Sequence, residues 1–273
     1  MELPISSQSY RPSPDALVRA IKRVKVILGR TTAEETQLDC ATAFTNPHRP
    51  TIGKANFVVD VHLADNQSST QSLDLIHQHF QNNGANCRSL SSIETHWPTE
   101  LAEHIELRGY LPSQSSIYLL SEYKPPTRTN TDIQIIPGRS AYGQLRQLYR
   151  ESGVERYELD GAAADDLAAT YIDHLDEPRK EVFLGRIDGQ AIGLVSLTTL
   201  GQIGVLNDVY TAKDFRKRGI ARTLIAHAIN HCQRALFEQV ILEIMEDNHE
   251  ARRVYQQLGF KAVAAIVTYR LPQ

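Results

Sequence analysis

The stretch Asp208-Val209-Tyr210-Thr211-Ala212-Lys213-Asp214-Phe215-Arg216-Lys217-Arg218-Gly219-Ile220-Ala221 decides how this chain is read. An apolar run, residues 204–211, ends in a turn dense in arginine and lysine, and an amphipathic segment begins at Gly219. Strand, turn and helix in that order leave free backbone N–H groups and the positive end of the helix macrodipole at the turn. Such a helix start binds phosphate or pyrophosphate, and glycine lets the anion approach the backbone closely. Arg216, Lys217, Arg218 and Arg222 place positive charge where a helix start disfavours it, a local conflict that points to function. A solvated basic helix end is the bland alternative. No Gly-Lys-Ser/Thr follows the turn, so it is not a nucleotide-binding P-loop.

Outward from this stretch, strands and helices alternate. Residues 133–136 read as a strand. Residues 140–151 read as a helix with Leu145, Leu148 and Tyr149 on one side, and 162–175 as another with Leu167, Ala168, Tyr171 and Leu175 at helical spacing. Residues 181–186 and 191–200 form a hairpin closed by Asp188-Gly189. A helix over 217–233 carries the stripe Ile220, Leu224, Ile225, Ala228 and Cys232. A strand at 239–245, a helix at 249–258 and a strand at 262–271 complete an α/β fold, a mixed sheet with helices on its faces.

The first half follows a similar order, with strand 56–63, helix 73–81, strand 87–90, helix 101–107 and strand 116–123. Both halves end on a helix, a glycine with an aromatic (Gly109-Tyr110, Gly259-Phe260) and an apolar strand. This pattern suggests an internal duplication, although glycine is also the usual helix C-cap. The polar, proline-bearing segment 124–132 lies between the halves, which sets expected domains of 1–128 and 129–273.

Of the 273 residues, 41% are hydrophobic and 22% charged, ordinary globular values that exclude disorder as the main state. Net charge is −3, and residues 1–128 carry 12 basic and 13 acidic side chains, so neither half is a basic module for nucleic acid or an anionic membrane. Cys40, Cys87 and Cys232 show neither disulfide nor zinc spacing, and the scattered histidines fix no metal site. The N-terminal Met1-Glu2-Leu3-Pro4 lacks a signal-like apolar segment, and no run approaches the ~20 residues that span a bilayer. A soluble cytoplasmic protein is expected, with no metal and no membrane or nucleic-acid partner; a homodimer is compatible with this reading.

A second segment lies downstream. Asn248, Ala251, Tyr255, Gly259 and Phe260 fit Asn-x-x-Ala-x-x-x-Tyr-x-x-x-Gly-Phe without a gap, and Arg216-x-x-Gly219-x-Ala221 precedes them. Together, over roughly residues 132–273, they resemble the Gcn5-related N-acetyltransferase (GNAT) superfamily. The resemblance implies acetyl-CoA as acyl donor, held in a splay between strands 204–211 and 239–245. Backbone groups of Val209, Tyr210 and Thr211 would pair with the pantetheine arm. Arg216 and the backbone N–H groups of Lys217, Arg218, Gly219, Ile220 and Ala221 would bind the pyrophosphate. Asn248 would hydrogen-bond the arm, though asparagine also suits a helix N-cap. Tyr255 occupies the family's general-acid position, and a phenol matches a thiol in pKa; a tyrosine packed on an amphipathic helix is the other reading.

The base is open between two carboxylates. Glu243 is a charge among Val240, Ile241, Leu242 and Ile244, a placement that tunes carboxylates for proton transfer. Its Leu-Glu setting is similar to that of ribosomal-protein alanine acetyltransferases. Asp208 is the competitor, and either could simply face solvent. The first half has no glycine, arginine or lysine in its turn at 64–71, and Ile105 or a neighbour stands where Tyr255 would align. It resembles the degenerate N-terminal domain of tandem acetyltransferases, with a structural role. The expected activity is acetyl transfer to a primary amine of a small molecule or peptide. The alternatives are a non-catalytic acyl-CoA-binding module and transfer of another acyl group. Residues 153–161 read as a loop whose Glu155, Glu158 and Asp160 would suit a cationic acceptor.

Overall fold

The computed structural model describes residues 12–63, 67–92, 97–127 and 129–272. The N-terminal tetrapeptide, Arg128 at the expected boundary and residues 64–66 of the first-half turn lie outside the described residues. The elements run α1 (Pro14–Gly29), β1 (Glu34–Leu38), β2 (Ala41–Thr45), β3 (Phe57–Val61), α2 (Ser69–Asn82), β4 (Ser89–Ser92), α3 (Thr99–Leu107) and β5 (Leu111–Leu120). The second half continues with β6 (Gln134–Pro137), α4 (Tyr142–Tyr157), α5 (Gly161–Asp173), β7 (Lys180–Ile187), β8 (Gln190–Leu200), β9 (Ile203–Thr211), α6 (Ile220–Arg234), β10 (Gln239–Met245), α7 (His249–Gln257) and β11 (Phe260–Arg270).

All eleven strands form one mixed sheet in the order β1-β2-β3-β4-β11-β5-β10-β9-β8-β7-β6. Strand alternation divides the core between its two faces. On β5, Ile117 packs with α1, whereas Tyr118 packs with α6 and α7. On β8, Leu194 packs with α4 and α5, and Val195 with α6. One face therefore carries α1, α4 and α5, and the other α2, α3, α6 and α7. No described helix is long and apolar enough to cross a membrane.

The segment at 124–132 separates the halves in sequence, but the sheet is continuous across it. Strand β5 lies between β10 and β11, and β11 between β4 and β5, all antiparallel. Each half thus lends its last strand to the other. The topological order repeats as well. Strands β3 and β4 pair in parallel around α2, as β9 and β10 do around α6, and each leading strand has an irregularity at a positive-φ aspartate, Asp60 (φ 56°) or Asp208 (φ 52°). Gly259 (φ 100°) packs against the end of β5, where a Cβ would fall 1.7 Å from the carbonyl oxygen of Glu122.

The first-half reading missed α1 and the hairpin β1–β2. The helix carried a legible start signal: Ser13 caps Ala16 N, Pro14 opens the helix, and Leu17, Ile21 and Val24 recur on one face. Residues 153–157, read as loop, are the last turn of α4, because Gly153 packs against Leu167 and Ala164 of α5.

Candidate active site

Strands β9 and β10 pair only from Ile203 and Gln239 to Leu206 and Leu242. Beyond that point β9 has a bulge: Ser196 pairs with Asn207 and Leu194 with Tyr210, leaving one extra residue on β9. Asp208 sits in this bulge in the left-handed region. The bulge bends β9 away from β10, so the β10-facing edge of Val209, Tyr210 and Thr211 opens into a cleft. On its other edge β9 stays bonded to β8.

The bulge is anchored from below. The ammonium of Lys180, fully buried on β7, lies 2.8 Å from Asp208 Oδ2, and the Ser196 hydroxyl donates to the same oxygen at 2.8 Å. Lys54 Nζ lies 4.0 Å from Asp208 Oδ1. Burial alone would raise the carboxyl pKa, but Lys180 and Lys54 overcome it and hold Asp208 well below the usual carboxylate range. Asp208 is the permanent counter-ion of a buried lysine, which makes it a weak base.

Glu243 occupies the cleft's other wall. It lies opposite Ile117, between Leu242 and Ile244, which face α6 and α7, so its side chain shares the α1 face with Ile241. Ser115 donates to its Oε1 at 2.5 Å. Tyr255 is on the opposite face, 7% exposed and edge-on to Phe260 at 5.6 Å. Its hydroxyl makes no hydrogen bond among the described residues. Burial raises its pKa; Arg156 opposes the shift and Asp208 adds to it. The phenol is therefore protonated at neutral pH, the form that can donate. Tyr255 packs in the cluster of Leu242 and Ile244, on the face opposite Glu243.

At the start of α6, Gly219 is the N-cap in the left-handed region (φ 79°) and Lys217 shares that region (φ 61°). Among the described residues, the N–H groups of Lys217 to Ala221 have no backbone acceptor in the turn. They form the open donor cradle expected of an anion site. The basic side chains are more committed than the sequence implied. Arg216 donates to Thr211 O and pairs with Glu155, Arg218 stacks on Phe215 at 5.2 Å, and Arg222 binds Gln257. Asn248 caps α7 by accepting from Ala251 N at 3.1 Å, while its amide nitrogen donates to no described residue, so capping and ligand binding are compatible.

Several contributors were not recognised from sequence. Asn130 pins the turn before α6: its amide donates to Arg218 O and its N–H to Thr223 Oγ1. Arg156 donates to Val209 O, so that carbonyl is already engaged. Lys180, Lys54 and Lys25 of α1 lie around the two carboxylates. Lysines brought together from distant segments carry no periodic signature. The acids of 153–161 are largely committed: Glu155 accepts from Tyr210 and pairs with Arg216, and Asp160 caps α5. Two of the three groups assigned to a cationic acceptor thus have partners within the fold. All three cysteines are buried, Cys232 in the α6 core.

Residues 142–260 match the acetyltransferase (GNAT) family. N-alpha-acetyltransferase 30 of Dictyostelium discoideum is 28% identical over 156 residues, which are 54% of this chain and 77% of that protein. A GCN5-related N-acetyltransferase from Kribbella flavida superposes with a TM-score of 0.63 at 13% identity, covering 95% of this chain and 96% of that one. A tandem GNAT protein from the clavulanic acid biosynthesis pathway gives 0.54 at 15% identity, covering 84% and 78%. The last two likenesses are of fold. The cleft, the donor cradle and the family match agree, and residues 142–260 of this chain are an acetyltransferase domain of the GNAT family.

Proposed function

We propose that the protein transfers an acetyl group from acetyl-CoA to a primary amine at the β9–β10 cleft, with Glu243 as base and Tyr255 as acid. The observation that carries this is the placement of the two groups on opposite faces of the sheet, beside the stretch in which β9 and β10 stop pairing. Thiol and amine can then arrive from opposite sides, each beside its own proton-transfer group. The donor cradle at Lys217–Ala221 holds the pyrophosphate, and the unpaired edge of Val209–Thr211 supports the pantetheine arm, the Arg156 bond to Val209 O opening to admit it. Glu243, with its hydroxyl contact from Ser115, takes the amine proton directly or through water. The N–H of Val209 faces the negative charge that develops on the thioester oxygen. Tyr255 returns a proton to the departing sulfur. Asp208 shapes the bulge and stays ionised.

The first half serves as a degenerate acetyltransferase-like domain, residues 1–128 against 129–273. The repeated topology and the turn before α2, which has no glycine, arginine or lysine, support this reading. It walls the acceptor side: Ile52 and Ala55 are buried against α4 and α5, and Arg49 binds Asp173 at 2.5 Å. Given the reduced, buried cysteines, we place the protein in the cytoplasm.

The test is release of free thiol from acetyl-CoA across a panel of amines, with mass detection of the acetylated product. Tyr255→Phe is expected to lower kcat by about 10²–10⁴-fold while coenzyme A affinity by calorimetry is retained. Tight coenzyme A binding with no transfer to any amine would instead support a non-catalytic acyl-CoA-binding module.

A further inference from the structure

The face on which the amine arrives is lined with cations that the chemistry above does not require. Lys25, on the last turns of α1, is partly buried, and its ammonium has one polar contact among the described residues, the Ser91 hydroxyl at 3.5 Å. Among the described residues, no carboxylate lies within ion-pair distance of it. Helix α1 packs over Ile117 and Ile241, on the face that Glu243 shares. Burial lowers the Lys25 pKa; Glu243 opposes that shift, while Arg270, Lys54 and Lys22 add to it. Lys54, on the segment between β2 and β3, is 43% exposed and projects over the Tyr171 ring at 5.1 Å. Its nearest carboxylate, Asp208, is 4.0 Å away and already bound by Lys180 and Ser196. Among the described residues, Lys25 and Lys54 thus lie on this face with Glu243 as the carboxylate that makes no ion pair.

A partly buried ammonium with no ion-pair partner among the described residues is costly unless something supplies one. A cationic amine would be repelled here, and two of the three acids of residues 153–161, Glu155 and Asp160, are engaged within the fold. We infer that the acceptor is an amine that also carries an anionic group, a carboxylate or phosphate, and that Lys25 and Lys54 bind that group while the amine is presented to Glu243. Both lysines come from the first half, the half without a phosphate turn. It therefore contributes substrate selection in addition to covering the sheet. This inference rests on the cleft being the transfer site, but anion binding can be measured without transfer.

The experiment uses the full chain and matched acceptors: amino acids, their carboxamides, the amines left by removing the carboxyl, and aminoalkyl phosphates. Two quantities are read: kcat/KM by thiol release, and the shift in thermal midpoint of the protein–coenzyme A complex on adding each amine. The anionic amines are expected to exceed their neutral counterparts by about 10–100-fold in kcat/KM, as charge-assisted hydrogen bonds warrant. They are also expected to raise the midpoint at concentrations where the carboxamides do not. Carboxylate against phosphate series identifies the anion. Lys54→Met, an exposed change compatible with folding, and Lys25→Met are expected to bring the anionic-to-neutral ratio towards one, chiefly through KM. Lys54→Arg should preserve it. Equal rates and shifts for anionic and neutral amines would overturn the inference. So would a ratio unchanged in both methionine variants, or a panel in which no anionic amine binds. Lysine-dependent binding of anionic amines without acetylation would leave the anion site standing and remove the transferase reading of the cleft.

Discussion

Replacing Lys180 by methionine tests the anchor of the bulge that opens the cleft. The ammonium is fully buried, the Asp208 side chain is 10% exposed, and they meet at 2.8 Å. Removing one partner of a buried ion pair costs about 3–5 kcal/mol, because the remaining charge is stranded. Here Ser196 still donates to Asp208, and Lys54 remains at 4.0 Å, so the expected loss is at the lower end, about 3 kcal/mol. That is a large share of the ~5–15 kcal/mol by which such proteins are stable. Lys180→Met/Asp208→Asn removes both charges and should recover most of the loss. The pH dependence has a defined sign. The folded-state pKa of Asp208 is depressed, so its contribution is fully present above the unfolded carboxylate value of about 3.9 and is lost as pH falls through the lower folded value. The stability gap between wild type and Lys180→Met should be flat from about pH 5 to 7 and close only below about pH 4. Urea unfolding followed by circular dichroism at several pH values measures all of this. A loss below about 1 kcal/mol, or a double variant no more stable than the single one, would refute the ion-pair argument.

Glu243→Gln should abolish the acidic limb of the kcat/KM–pH profile, whereas Asp208→Asn should retain that limb because Asp208 stays ionised throughout the assay range; the opposite outcome would move the base to β9. Gly219→Glu should abolish coenzyme A binding in calorimetry, since it puts a carboxylate in the donor cradle, while costing only the roughly 1–2 kcal/mol of a side chain at φ 79°, so the chain stays folded. Gly259→Ala forces a Cβ against the Glu122 carbonyl at φ 100°; a loss of about 4 kcal/mol or more, or failure to fold, is expected, checked by soluble yield and urea midpoint.

The second half was legible because local rules agree there. The Asp188-Gly189 turn, the apolar stripe of α6 and the Asn248-to-Phe260 spacing each determine structure within about fifteen residues, and the same short range reveals the helix-start anion site. Glu243 could be picked out as a charge in an apolar strand, and Tyr255 from its place on α7. Which face each occupies, and that the sheet parts between them, depend on the pairing of β9 with β10 and on one extra residue at Asp208. The reciprocal insertion of β5 and β11 was not legible, because strand pairing across some 150 residues leaves no local period. The lysines were hidden for the same reason. Lys25, Lys54 and Lys180 lie far apart in sequence, and each alone reads as an ordinary surface charge. Only the tertiary packing buries Lys180, partly buries Lys25 and brings Lys54 to Asp208, and that turns three unremarkable lysines into the electrostatic character of the site.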